Sequence, residues 1–210
     1  MMPSVVTEYY THVGSRNTPT DVLMLMTRFA ALQNRRPRSG GAAGADETAE
    51  VNDGLIAYLP WCNFRHKKGE WDYGPGELRF ADSVLEKAFP FDIKKLKPTT
   101  LAFFQRNVFQ ILGRCKNKDD IVLSKFVICW TPDGATSIDD YDINKTGGTG
   151  IAINVASLYD VPVYNLFNKH HRQRVERWCS KKELENDIVF DQSSWRHKDS
   201  SGNNWINLPF

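Results

Sequence analysis

Long apolar runs, paired cysteines and an excess of charge of either sign are all missing from this chain of 210 residues. No stretch approaches the roughly 18 to 20 consecutive apolar residues that span a bilayer, so no membrane partner is expected. The four cysteines, Cys62, Cys115, Cys129 and Cys179, lie far apart, with no C-x-x-C pair and no Cys/His cluster at metal-ligand spacing. That speaks against a disulfide scaffold or a zinc knuckle, and no metal or cofactor is expected. The first residues, MMPSVVTEYYTH, carry neither a basic leader nor an apolar h-region, which points to the reducing cytoplasm. Lys and Arg number 27 against 25 Asp and Glu, a formal net charge of +2. So even a balance argues against a polycation that coats nucleic acid, while leaving room for local basic patches. There is no G-x-x-x-x-G-K-[ST], no G-x-G-x-x-G and no G-x-S-x-G, so a P-loop NTPase, a dinucleotide dehydrogenase and a serine-elbow hydrolase lack support. No repeat recurs at 20 to 50 residue periods, which drops solenoids and propellers. What is present is 41% apolar residues and six Trp, enough for one domain with a substantial core.

The order of patterns is that of an α/β chain. Val5 to Val13 reads as a strand ending at Gly14, Ser15 and Arg16. Pro19 and Thr20 open an amphipathic helix with Val22, Leu25, Met26, Phe29 and Leu32 at helical spacing. A short segment at Arg38 and Ser39 enters the glycine cluster Ser39 to Asp46, followed by an expected helix from about Ala45 to Asn52 and a strand at Leu55 to Leu59. Pro60 to about Asp82, rich in Gly, Pro and aromatics, reads as a long loop or flap. Helices are expected at Ser83 to Phe89 and Pro98 to Leu112. The strongest strand signal is Ile121 to Leu123 and Phe126 to Trp130. A polar loop runs from Thr131 to Lys145, Gly147 to Gly150 open a helix, and Val161 to Leu166 form the next strand. This alternation predicts a Rossmann-like parallel sheet with helices on both faces over residues 1–167. Residues 168–210 read as a basic and aromatic C-terminal extension, with Trp205, Ile206, Leu208 and Phe210 docking back onto the domain.

In an open parallel sheet, ligands bind at the carboxyl ends of the strands, where helix N-termini present unpaired N–H groups. Three loops fall there: Gly14, Ser15 and Arg16; Ser39, Gly40, Gly41, Gly44 and Asp46; and Gly147, Gly148, Thr149 and Gly150. Glycines allow close backbone approach and the helix dipole favours anions, so a phosphate-bearing ligand is expected. Arg16 and Arg106 read as phosphate clamps or as pairing cations. Ser15, Ser39 and Thr149 read as ligand contacts or as turn and cap hydroxyls. Trp61 and Trp130 are base-stacking or packing aromatics, and His12 is structural.

The GSR-x-TP turn at Gly14 to Pro19, the SGGAAGAD loop, the Arg106–Asn107 pair, WTPDG at Trp130 to Gly134, and GGTGIAINVA followed by VPVYNL together resemble the SLOG superfamily. That group includes the DprA/Smf single-strand DNA-binding proteins, YpsA-like proteins and the LOG-type nucleotide phosphoribohydrolases. The likeness is greatest to small stand-alone members found in bacteriophage genomes, which would place the chain in a host cytoplasm, and it covers about residues 8–167. It implies a nucleotide ligand and self-association as dimers or larger. In LOG enzymes a PGGxGTxxE motif holds phosphate with its glycines and uses the glutamate at the N-glycosidic bond, with a helical Arg assisting. Gly147, Gly148 and Gly150 match the glycines and Arg106 the arginine, but Asn154 stands at the glutamate position and an amide cannot do a carboxylate's work. Asp46, Glu47 or Glu50 could substitute. Three readings result. The chain is a binding protein for a nucleoside phosphate or nucleotide-derived signal; a nucleotide N-glycosidic hydrolase using Asp46 and Arg106 as catalytic residues; or a single-stranded DNA binder through Lys169 to Lys182, where Arg172, Arg174 and Arg177 cluster.

Overall fold

In the computed structural model, residues 8–186 are described, together with 197–198 and 204–205. Five strands, β1 (Tyr9–His12), β2 (Arg36–Ser39), β3 (Ile56–Ala57), β4 (Val127–Cys129) and β5 (Val163–Asn165), form one sheet in the order β3-β2-β1-β4-β5. Every pairing is parallel, with Thr11 opposite both Arg38 and Val127. This is an α/β Rossmann-like fold. The helices are α1 (Thr20–Leu32), α2 (Pro75–Ala88), α3 (Pro98–Leu112), α4 (Ile143–Thr146), α5 (Thr149–Leu158) and α6 (Lys169–Glu185), with a 3-10 segment at Ala45–Val51. A further antiparallel pair joins β6 (His197–Lys198) to β7 (Asn204–Trp205). No described helix is long and apolar enough to cross a membrane.

Alternation along the central strands sorts the core into two layers, because successive strand side chains point to opposite faces. Val13, Val127 and Cys129 pack with α2, α3 and α5, while Tyr10, Ile128 and Trp130 pack with α1 and α6. Ile151 to Ala156 are buried almost without interruption. A helix apolar all round has to be internal, so α5 is wedged beside α2 and α3, and its first turn opens at the edge of the sheet.

Arg36–Ser39 forms a strand despite its sequence, RPRS. Buried Arg38 lies 4.0 Å over the Tyr9 ring and donates through Nη1 to Val122 O (2.5 Å) and Ile111 O (3.5 Å). Thr11 and Ser124 hydroxyls donate to Gln110 O at 2.7 and 3.1 Å. Together they satisfy carbonyls at the end of α3, where positive charge is also favoured by the helix dipole.

Several expectations need correction. Helix α2 begins at Pro75, eight residues before the expected Ser83, which shortens the flap. Pro75 stands at the first helical position and Glu77 Oε2 accepts from Gly74 N at 2.6 Å, a start signal with too few apolar residues around it to show as periodicity. Residues 45–51 are 3-10 rather than α-helical. Ile121 to Leu123 are not a strand; Val122 N and Ser124 N donate to Leu112 O and Ile111 O (both 2.9 Å), which ties this stretch to the end of α3, with Val122 51% exposed. The loop after β4 is knit by Asp140, whose carboxylate accepts from Thr136 N (3.0 Å) and Ser137 N (2.7 Å). The start of the expected first strand, Val5 to Thr7, and the docking of Leu208 and Phe210 lie outside the described residues.

His12 is fully buried at the end of β1. The Thr48 hydroxyl donates to Ala45 O (2.7 Å), so it accepts from His12 Nε2 (2.6 Å), leaving Nδ1 without a partner. Burial holds this imidazole down to about 3. The unfolded chain, with His near 6.5, therefore binds the proton first as pH falls. Stability is complete above pH 6.5 and declines below it, by about 2 kcal/mol at pH 5 from this group. His12→Gln keeps a donor for Thr48 and removes the titration. The melting-temperature drop between pH 7.5 and 5 should shrink in that variant, and an undiminished drop would show that His12 is not its source.

Candidate functional site

Residues from all three glycine loops meet at one cavity of about 460 Å³. It lies over the carboxyl ends of β1 and β4, where the strand order reverses from β1–β2 to β1–β4, the switch point at which open α/β sheets bind ligands. Its walls include Gly14, Ser15, Arg16, Ala42, Asp46, Gly147, Gly148 and Thr149, with Phe103, Phe104, Arg106 and Asn107 from α3. Among the described residues on these walls, Arg16, Arg106 and Lys145 oppose one carboxylate, Asp46. Exposed Arg16 makes no ion pair among the described residues, whereas Lys145 lies 3.4 Å from Asp142.

The glycines divide into two kinds. Gly147 and Gly148 face open space: a Cβ at either meets nothing within 4 Å. A ligand can therefore approach the backbone at the start of α5, where the first N–H groups lack intrahelical acceptors. The others make room for protein. A Cβ on Gly40 would lie 1.0 Å from Arg106 Nη1, one on Gly14 2.6 Å from Ala45 Cβ, and one on Gly150 2.1 Å from the Tyr141 ring. Gly44 sits at φ +86° with Ser15 O 3.0 Å from the position of a Cβ, so it lets the first two loops touch. Gly40, Gly41, Gly44, Gly150 and Ser39 stand behind the wall, Ser39 donating to Asp46 O at 3.1 Å.

Helix α3 ties the loops together. Arg106 Nη1 donates to Asp46 Oδ2 (3.3 Å), which also accepts from Ala42 N (3.2 Å). Asn107 Nδ2 donates to Gly148 O (2.9 Å). Gln110 accepts from Gly40 N (2.7 Å) and from Arg106 and donates to Asn107 Oδ1 (3.1 Å). Asp46 and Arg106 are both nearly inaccessible. Burial pushes the Asp46 carboxyl above the usual range, against the pull of Arg106. Sequence reasoning missed Gln110, Phe103 and Phe104; the signal for Phe103 and Gln110 was their i−3 and i+4 spacing from Arg106.

Gly40→Ala should force Arg106 off Asp46. No positive φ stands against alanine at Gly40, so the loss comes from overpacking, on the order of 1–3 kcal/mol, and from the weakened Arg106–Asp46 pair. A thermal melt unchanged from wild type would contradict the close fit of Arg106 over Gly40.

Asn154 is turned away from the cavity. Its Nδ2 donates to Ala88 O (2.8 Å) and it lines a separate depression with Phe89, Tyr141 and Ile143. Glu47 and Glu50 also miss the cavity and pair with Arg65 (2.7 Å) and Lys67 (2.8 Å). Asp46 is the one carboxylate of the four positions that reaches it. Trp130 is buried in the layer under α1 and α6. The basic run forms α6 and is largely engaged: Arg172 pairs with Asp21 (2.6 Å) and Glu176 (3.2 Å), Arg174 lies 5.3 Å over Tyr164, and Arg177 donates to Gln173 O (3.2 Å). Trp178 packs 4.9 Å from Phe29. Among the described residues no cluster of three or more His, Cys, Asp or Glu has the arrangement of a metal site. No family model, curated protein or solved structure matches this chain.

Proposed function

We propose that the chain binds a nucleoside phosphate or nucleotide-derived signal, with the phosphate at Gly147 and Gly148 and the start of α5. The observation that carries this reading is the convergence of three glycine loops and three cations on one cavity where, among the described residues, that pair is the unobstructed glycine backbone. The cavity lies within the 300–1,000 Å³ range of ligand sites. The motif order that resembles the SLOG superfamily supports the same reading from sequence. A thermal-shift panel of nucleoside mono-, di- and triphosphates, ADP-ribose and cyclic nucleotides tests it. A ligand at 100 times its Kd stabilises by about 2.7 kcal/mol, a shift of several degrees for a domain this size. Absence of any shift at millimolar ligand would contradict it.

Asp46 favours a second reading, hydrolysis of a nucleotide N-glycosidic bond. It is a buried cavity carboxyl with its proton affinity raised, as a general acid requires. Release of free base from a nucleoside monophosphate, lost in Asp46→Asn, is the expected result under this reading. Chromatography showing intact nucleotide after prolonged incubation with stoichiometric protein would leave binding alone.

A further inference from the structure

The loop between β3 and α2 holds an aromatic group that the phosphate end does not use. Its ends are pinned beside β3, where Leu59 N donates to Glu70 O (2.7 Å) and Glu70 N to Ala57 O (2.8 Å). Between them Asn63, Arg65 and His66 all adopt left-handed backbone, at φ 56°, 52° and 59°. Such conformations persist in non-glycine residues when surrounding contacts over-determine them, and they concentrate at functional sites. The contacts here are ionic on one side, Arg65 to Glu47 and Lys67 to Glu50, fastening the loop to the 3-10 segment that carries Asp46. On the other side they are aromatic. Trp61, Phe64 and Phe103 meet edge to face, with centroids 5.2 to 5.5 Å apart and interplanar angles of 70° to 87°.

The trio reaches the cavity through one member: Trp61 and Phe64 pack on Phe103. Phe103 forms part of the cavity wall, and the Arg106 guanidinium lies 5.7 Å from the Phe103 ring. Phe103 is also one turn before Asn107, the residue that holds Gly148 O. Four residues of helix separate the aromatic end from the phosphate end by about 6 Å along α3, the span a pentose fills between a 5′-phosphate and its base. Trp61 is 40% exposed; a large apolar ring is left half in water by a loop otherwise fastened in place.

We infer that Phe103 and Trp61, braced by buried Phe64, form the shelf that takes the planar ring of the ligand, selecting by stacking area and so favouring purine over pyrimidine nucleotides. The inference rests on the phosphate-end reading above. Stacking on an aromatic side chain is tolerant of hydrogen-bonding pattern and scales with the π-face presented, so the two purines should bind alike.

The test is calorimetric titration of wild type, Trp61→Ala, Trp61→Phe and Phe103→Leu with adenosine, guanosine, cytidine and uridine 5′-monophosphates, alongside pyrophosphate. Wild type should bind both purine nucleotides several-fold more tightly than the pyrimidine ones. Trp61→Ala should weaken purine binding about tenfold, Trp61→Phe should restore most of it, and Phe103→Leu, which keeps the wall apolar, should lower it as well. Pyrophosphate affinity should be the same in all four proteins. Equal binding of all four nucleotides by wild type, with no loss in Trp61→Ala, overturns the shelf while the phosphate-end reading stands. No binding of any nucleotide or of pyrophosphate by wild type overturns both.

Discussion

Gly148→Val should weaken nucleoside monophosphate binding at least tenfold while leaving the melting temperature unchanged. Gly148 has φ −64° and ψ −25°, ordinary right-handed geometry that any residue adopts. A Cβ there meets no atom within 4 Å, so folding has no reason to resist the substitution. The space the valine fills is the space above the first N–H groups of α5. A phosphate displaced from them loses charge-assisted hydrogen bonds, and a tenfold loss is about 1.4 kcal/mol, less than one such bond contributes. Gly147→Val is the contrasting variant. Gly147 has φ +62°, so it should lose stability as well as binding. Full affinity in Gly148→Val would remove this backbone from the site.

Arg106→Ala should act in the opposite way, through stability first. Arg106 is 6% and Asp46 3% exposed. Removing one member of a buried pair strands the other, which costs about 3–5 kcal/mol. At roughly 2–4 °C per kcal/mol for a domain of this size, the melting temperature should fall by on the order of 10 °C. Asp46 answers by taking up a proton, toward which burial already pushes it. The drop should therefore be smaller at pH 5 than at pH 8. A carboxyl whose folded proton affinity is raised is most stable protonated, and its unpaired form is penalised as pH rises. Arg106→Ala with Asp46→Asn should recover most of the loss, and the non-additivity measures the pair. Binding should stay impaired in the double variant, because Arg106 also lines the cavity. If the double variant were as unstable as the sum of the singles, the pair would not be coupled as its geometry requires.

The parts of the fold legible in the sequence were those with local chemistry. Pro98–Leu112 and the opening of α5 after Gly147 and Gly148 stand where patterning put them. Arg36–Ser39 was legible only as the short segment Arg38–Ser39 feeding the second glycine loop, because what holds it as a strand is remote: Arg38 reaches carbonyls at the end of α3, some seventy residues on. The start of α2 was marked by Pro75 and Glu77, yet its buried residues are only Ala81, Val84, Leu85 and Ala88, too few early in the helix to show a stripe. Residues 45–51 carry a helical signal and wind as 3-10, with Gly44 and Thr48 packed against the first loop and His12.

The candidate site was legible as a set of loops and not as a division of labour. Glycine clusters mark positions where a side chain is excluded, without saying by what. At Gly40, Gly14, Gly44 and Gly150 the excluding atoms are protein, and at Gly147 and Gly148 there are none. Choosing among Asp46, Glu47 and Glu50 likewise required tertiary contacts, since Arg65 and Lys67 from the flap draw the two glutamates outward. The basic run on α6 shows the limit of counting charge. Arg172 and Arg174 are committed to Asp21, Glu176 and Tyr164, which leaves less free positive surface for a DNA strand than the sequence suggests.

The most direct measurement is a crystal structure of the protein soaked with, or grown in, saturating adenosine 5′-monophosphate. Density is expected for the phosphate within hydrogen-bond distance of the Gly148 and Thr149 N–H groups and for the base over Phe103. A phosphate bound elsewhere, or an empty cavity beside α5 at saturating nucleotide, would contradict it.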